Sequence, residues 1–272
     1  MNLQIQQILK DLNTNQKKAV THQDGPLLIV AGAGTGKTRV ITYRIAYLIA
    51  KKKALPKEIL ALTFTEKAAS EMSARVDVLV PYGFNDVWIS TFHAFGDRIL
   101  RENAILAGLS PDFRVLTKPE AVVFFREHLF EFPLKHFRPL GNPTWYISYI
   151  LDTISRAKDE DVSPEEYINW ATLSLEKAST KEEKENAEKQ IEVANTYKKY
   201  EELKAKYNYI DFGDQVWLVL KLFKSKASVL AKYQNQYKYI LIDEFQDTNY
   251  SQFEIAKLLA QPHRNIFVVA DD

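Results

Sequence analysis

The stretch "AGAGTGKTRV", residues 31–40, decides how the rest of the chain is read. It follows the apolar run "LLIVA" (27–31) and leads into "TRVITYRIAYLIA" (38–50), where apolar residues recur at helical spacing. A glycine-rich turn between a strand and a helix, closing on Gly-Lys-Thr, is built to cradle a phosphate. Gly32, Gly34 and Gly36 let backbone N–H groups converge on an anion, and the helix offers the same anion its positive N-terminal end. Lys37 can reach β- and γ-phosphates, and Thr38 can offer its hydroxyl to Mg²⁺. Ala33 and Thr35 complete the loop. The strict pattern has glycine where this chain has Ala31, and alanine serves there if its φ is negative, because only positive φ specifically favours glycine.

Working outward, four more short apolar runs read as buried parallel strands: "ILALTF" (59–64), "VWIST" (87–91), "YILID" (239–243) and "IFVVA" (266–270). They lack clean alternation, as expected when helices cover both faces of a sheet. Helical patterns separate them: "EKAASEMSARVDVLV" (66–80), "AFGDRILRENAILAG" (94–108) with Gly108 as its stop, and "SQFEIAKLLA" (251–260). The alternation predicts a doubly wound α/β domain over 1–108 and 209–272. Between about Leu109 and Asn208 the rhythm breaks, no strand is evident, and the pattern predicts an all-helical insertion over 109–208. Ser163-Pro164-Glu165-Glu166 marks one helix start there. The charged run "KEEKENAEKQIEVANTYKKYEELKAKY" (181–207) reads as a long helix with a solvated face.

Composition sets outer bounds. The 272 residues carry 46% hydrophobic and 26% charged side chains, no cysteine and a net charge of +1. Disulfides and cysteine-held metals are excluded. No apolar stretch is long enough for a membrane span, and the polar start lacks a signal-peptide core. A cytoplasmic protein with no membrane role is the expectation. The chain stops at Asp271-Asp272, just after a strand of a sheet whose ligand crevice lies beyond the strand ends; a longer protein is expected.

The second half of a nucleotide site is "YILIDEFQDTN" (239–249). Its strand delivers Asp243, placed to hold Mg²⁺, and Glu244, placed to orient and deprotonate an attacking water. Kinases, switch GTPases and motors all share these parts, and fold alone does not choose among them.

"LNTNQKKAV" (12–20), "LALTFTEKAASEM" (60–72), "ISTFHAFGDRILRE" (89–102) and "LIDEFQDTNYSQFEI" (241–255) make the choice. With "AGAGTGKTRVITYRIAYL" they resemble, in order, the UvrD/Rep/PcrA family of superfamily 1 DNA helicases. The resemblance implies a P-loop RecA-like sheet (domain 1A) interrupted by a helical insertion (1B). It further implies a second RecA-like domain (2A), with its own insertion (2B), beyond this chain. It implies ATP and Mg²⁺ as cofactors, single-stranded DNA and single-strand/duplex junctions as partners, and 3′→5′ movement.

By the same resemblance Gln16 reads adenine, Arg39 packs on the adenine face, and Gln246 and Asp247 link the nucleotide site to the DNA motifs. Phe64, Thr65 and His93 touch single-stranded DNA, with Thr91 and Phe92 structural beside them. Taken without the motifs, Gln16 would be a helix cap and Phe64 a core residue. Two departures stand out. Glu66 replaces the family's usual asparagine and would repel a phosphodiester. Gly213 replaces an acid in "IDFGDQV" (210–216), where Asp211 and Asp214 remain without a catalytic role. A helicase–nuclease motor of the AddA/RecB kind is the alternative enzyme. A nucleotide- or DNA-binding module without useful turnover is the alternative for the isolated chain.

Overall fold

The computed structural model describes residues 3–80 and 86–272. Its strands are β1 (Leu27–Val30), β2 (Ile59–Thr63), β3 (Trp88–Thr91), β4 (Arg114–Leu116), β5 (Tyr209–Asp211), β6 (Tyr239–Ile242) and β7 (Ile266–Ala270). All five apolar runs form strands. They build one parallel sheet in the order β1-β7-β6-β2-β3. Parallel pairing requires crossovers, and these are helical: Lys37–Ala50 follows β1, Glu66–Leu79 follows β2, and Tyr250–Ala260 joins β6 to β7. Parallel direction also puts every strand's C-terminal end at one sheet edge, where Ala31, Phe64, Phe92, Asp243 and Asp271 follow.

The chain divides into two compact units, residues 1–96 with 222–272, and residues 97–221. In the first, Ile41, Ile45 and Leu48 of the phosphate-loop helix pack with Ala61, Leu241 and Val269 from three strands and Met72 and Val76 of the next helix. All are nearly inaccessible to water, and each of the larger ones contributes roughly 1.5–3 kcal/mol by burial. β2 and β6 are buried throughout. The edge strand β1 is not: Leu28 and Val30 are 58% and 53% exposed, so only one of its faces is covered.

The second unit is mostly helical, with its core in Phe124, Phe125, Ile150, Ile154, Tyr197 and Tyr200. It does contain a strand where none was expected: β4 pairs in parallel with β5. Three residues are too few to show a period, so the pairing is invisible in the sequence pattern. Ser163 caps the helix Pro164–Lys177 in a reciprocal capping box with Glu166, as the sequence suggests. The helix beginning at Phe92 ends at Glu102, short of Gly108, which instead closes a 3-10 turn with φ +76°. The charged run forms one helix, Lys181–Lys206, but not all its charge is solvated. Glu192 is buried and accepts hydrogen bonds from the N–H groups of Lys135, His136 and Phe137 at 2.8–3.0 Å. Lys204 is buried as well. Among the described residues, no helix is long and apolar enough to cross a membrane.

Candidate nucleotide site

The phosphate loop leaves β1 through Ala31, whose N–H still pairs with the Ala270 carbonyl at 3.1 Å. Ala31 is not among the residues with positive φ, so alanine sits there without strain. Gly34 and Gly36 do take left-handed conformations, at φ +75° and +92°, and both need glycine. Gly36 is also crowded, since an added Cβ would stand 3.0 Å from Gln16 Nε2. The Thr35 hydroxyl donates back to the Gly32 carbonyl at 2.8 Å and tightens the turn between Gly32 and Gly36.

Lys37 opens the following helix and is buried. Its ammonium donates to the carbonyls of Ala31 and Gly32, at 3.2 and 3.4 Å, and pairs with the carboxylate of Asp271. The Asp271 hydrogen bond pushes the Lys37 pKa up, with further support from the charges of Glu244 and Asp243. The cation is therefore fixed at the mouth of the loop. Thr38 sits beside Asp243, its hydroxyl close enough to the carboxylate to favour the charged form. This joins the phosphate loop to the acidic motif and puts a hydroxyl and a carboxylate on one spot, a donor set suited to Mg²⁺. Burial pushes the Asp243 pKa up, and the Thr38 hydroxyl opposes that rise.

Glu244 takes a left-handed backbone, φ +51° and ψ +45°, unusual for a residue with a side chain. Such conformations cost on the order of 1 kcal/mol or more and collect at functional sites. The turn redirects the chain immediately after the buried strand β6. The Glu244 carboxylate then accepts from the Gln246 side-chain amide at 2.9 Å, while the Gln246 carbonyl oxygen accepts from the Asp271 N–H at 2.9 Å. Lys37, Asp271, Gln246 and Glu244 thus form one hydrogen-bonded chain across the ends of β1, β7 and β6. Asp271 was not singled out from the sequence as a site residue. The signal was its place at a strand C-terminus next to the phosphate-loop strand.

On the other side of the loop, Gln16 fulfils its bland reading and more. It completes a capping box with Asn13, and its Nε2 also donates to the Thr35 carbonyl at 3.0 Å. The Arg39 guanidinium donates to the Asp11 carbonyl at 3.0 Å and lies over the Tyr43 ring, 5.1 Å from its centroid.

Phe64, Thr65 and His93 share the same sheet edge, because Thr63 and Thr91 are paired partners in β2 and β3. Phe64 is half-buried and contacts the buried Phe92 ring at 5.8 Å in a tilted arrangement. Thr65 is exposed, but its hydroxyl caps the helix Glu66–Leu79 by accepting from the Ala68 N–H at 3.1 Å. Burial holds the His93 pKa below the ordinary imidazole value, against the opposing charge of Glu66. Glu66 has a local job: its carboxylate accepts from the Thr91 hydroxyl at 2.8 Å, tying the ends of β2 and β3 together.

With this geometry in place, the chain belongs to the UvrD/REP helicase N-terminal domain family, which matches residues 12–272. Among similar proteins, the ATP-dependent DNA helicase PcrA of Bacillus subtilis is 40% identical over 273 residues, covering 100% of this chain and 34% of that protein. The PcrA helicase of Leuconostoc citreum is 36% identical over 272 residues, covering 99% and 33%. That of Staphylococcus epidermidis is 37% identical over 266 residues, covering 97% and 34%. The chain spans about a third of the length of these relatives.

Proposed function

We propose that this chain is the N-terminal part of an ATP-dependent DNA helicase that moves 3′→5′ on single-stranded DNA and opens single-strand/duplex junctions in the cytoplasm. The observation that carries the reading is the closeness of Thr38 to Asp243, which brings the two sequence-distant halves of a nucleotide site together beside Lys37 and Glu244. Family membership and the names of the relatives support the same reading. Residues 1–108 and 209–272 correspond to domain 1A and 109–208 to 1B, with 2A and 2B supplied by the remainder of the protein.

In this proposal the loop from Ala31 to Thr38 holds the phosphates through its backbone N–H groups, and Lys37 neutralises their charge. Thr38 and Asp243 hold Mg²⁺, which when bound offsets charge on the phosphate oxygens. Glu244 takes the proton from the attacking water. Gln246 keeps the Glu244 carboxylate aimed. Gln16 reads the adenine edge with its amide, and Arg39 lies against the base. Phe64, Thr65 and His93 face the strand, Phe64 as a stacking platform.

Unwinding of a duplex bearing a 3′ single-stranded tail, but not one bearing a 5′ tail, by the full-length protein with Mg·ATP tests the activity and its polarity. Phe64→Ala tests the strand contact. Single-stranded DNA affinity should fall about tenfold, since stacking is worth roughly 1–3 kcal/mol per base. The melting temperature should hold. A loss of roughly 3–5 kcal/mol of folding stability, with affinity per folded molecule unchanged, would make Phe64 a core residue instead.

A further inference from the structure

Arg44 lies in the middle of the helix Lys37–Ala50, two turns past the phosphate loop, and is 3% exposed. Among the described residues no carboxylate hydrogen-bonds to it. Asp24, the acid whose charge acts on it, is instead held by the Lys53 ammonium at 2.9 Å and the Tyr239 hydroxyl at 2.7 Å. The guanidinium spends its donors on three backbone carbonyls: Val20 at 2.8 Å, His22 at 2.7 Å and Gln23 at 3.3 Å. Its far side rests on the Phe267 ring, 5.8 Å from the centroid. A buried arginine costs much to desolvate, and burial pulls its pKa down. A purely packing role would not call for one.

The three carbonyls define what Arg44 holds. Val20 is the last residue of the helix Thr14–Val20, which carries Gln16, and His22 and Gln23 begin its return to β1. A cation at a helix C-terminus satisfies carbonyls that have no partner within the helix and favours the negative end of its dipole. Two other struts hold the same segment. Gln16 donates to Thr35, and Arg39 donates to Asp11. All three struts run from residues 11–23 to the phosphate loop or its helix, and Arg44 anchors the end that the others leave free. One donor, Arg44 Nε, has no protein partner. Arg44 also lines, with Gly25, Tyr239 and Asn265, a cavity of about 10 Å³, the space of one water.

We infer that Arg44 is a positioning residue for base selection: it registers the Gln16 helix against the phosphate loop and so sets where the adenine edge is read. The inference rests on Gln16 being the base reader. Arg44 touches neither base nor phosphate, so its effect is confined to nucleotides that Gln16 can discriminate. Lysine keeps the charge but cannot span three carbonyls with a planar fork.

The test is equilibrium binding of Mg·ADP, Mg·GDP and Mg·tripolyphosphate to the full-length protein and its Arg44→Lys variant, with melting curves to count folded molecules. Tripolyphosphate carries the phosphates without a base. Arg44→Lys should weaken ADP about tenfold, the scale of one lost hydrogen-bonded discrimination, while GDP and tripolyphosphate hold. The ADP:GDP preference then collapses. If Arg44→Lys does not fold, Arg44→Gln, which keeps amide donors for the carbonyls, should give the same collapse. Equal weakening of all three ligands would make Arg44 a support of the loop alone and overturn the inference, as would an unchanged ADP:GDP ratio. Gln16→Ala separates the two layers. If it removes the ADP:GDP preference and the Arg44 variants do not, only the positioning role fails. If Gln16→Ala leaves the preference intact, the base-reading assignment fails and takes the positioning role with it.

Discussion

A lysine–carboxylate cluster in the first compact unit and another in the second are built from the same chemistry to opposite ends. In the first, Lys37 and Asp271 meet beside Asp243 and Glu244 at the C-terminal ends of strands, with Asp271 still 38% exposed and Glu244 held on a left-handed backbone. In the second, Lys158 and Lys204 are buried between Glu201, Asp211 and Asp214. Lys158 donates to Asp211 at 2.9–3.0 Å and to Asp214 at 2.6 Å, and forms an ion pair with Glu201 at 2.9 Å. Lys204 shares the same three acids. Asp211 and Asp214 also accept from one another's N–H groups, which caps the helix Phe212–Ser225. Tyr197, Tyr200 and Trp217 surround Lys158, their centroids 5.8–5.9 Å from its ammonium. The first cluster keeps strain and exposure where a ligand could use them. The second is closed by its own partners and serves as internal structure. The three acids lie close enough to suggest a metal, but the two ammonium groups already take those oxygens.

Removing one member separates the clusters most sharply. Lys158→Met keeps the apolar stem and strands the acids, which should cost roughly 3–5 kcal/mol of stability. Chemical denaturation measures that loss. Nucleotide affinity per folded molecule should not change, and a coupled loss of affinity would mean the second cluster is not merely structural.

Gly213→Ala is a smaller perturbation of the same cluster. An added Cβ would stand 3.1 Å from the Lys158 side chain and 3.4 Å from an Asp211 oxygen. The expected cost is about 1–3 kcal/mol, from overpacking. This suits the departure at "IDFGDQV": with the lysine stem packed against residue 213, a side chain there would have to push it aside. Stability unchanged in Gly213→Ala would contradict the packing account.

The smallest effect is a pH slope. Asp214 is pushed up to about 6 by burial and by the neighbouring charges of Asp211 and Glu201, while the two lysines hold Asp211 far below the ordinary carboxylate range. Between about pH 4, where an unfolded aspartate loses its proton, and about pH 6, the folded state binds more protons through Asp214. That contribution to stability therefore falls as pH rises across the window. Asp211 has the opposite sign, but its contribution is lost only as pH falls below that window. Asp214→Asn should flatten the slope between pH 4 and 6 in melting temperatures, and a slope identical to wild type would remove Asp214 as its source.

The two clusters also differ in how legible they were. The open one sits at strand ends, so "AGAGTGKT" and "YILIDEFQDTN" announce its parts through local pattern, and the shared strand direction brings those parts to one edge. Asp271 was missed because its meaning depends on β7 lying next to β1, an adjacency no local window contains. The closed cluster joins residue 158 of one helix, 201 and 204 of another, and 211 and 214 at a third helix start. Read locally, Lys204 belonged to a charged, solvated face. Only the packing of three helices makes it a buried counter-ion. The strand β4 escaped for the same reason, since its identity lies in its partner β5 rather than in its own three residues. The exposed face of β1 differs from the expectation because an edge strand's neighbours, not its composition, decide whether both faces are covered.

The central claim is that the open cluster is catalytic, with Glu244 as the base. Mg·ATP affinity and DNA-stimulated turnover, measured on the same preparation of full-length Glu244→Gln, test it most directly. Glutamine preserves shape and a hydrogen-bonding oxygen but cannot take a proton, so binding should stay near wild type while turnover falls by about 10²–10⁴-fold. Turnover near wild type with binding intact would show that Glu244 is not the base and would contradict the account.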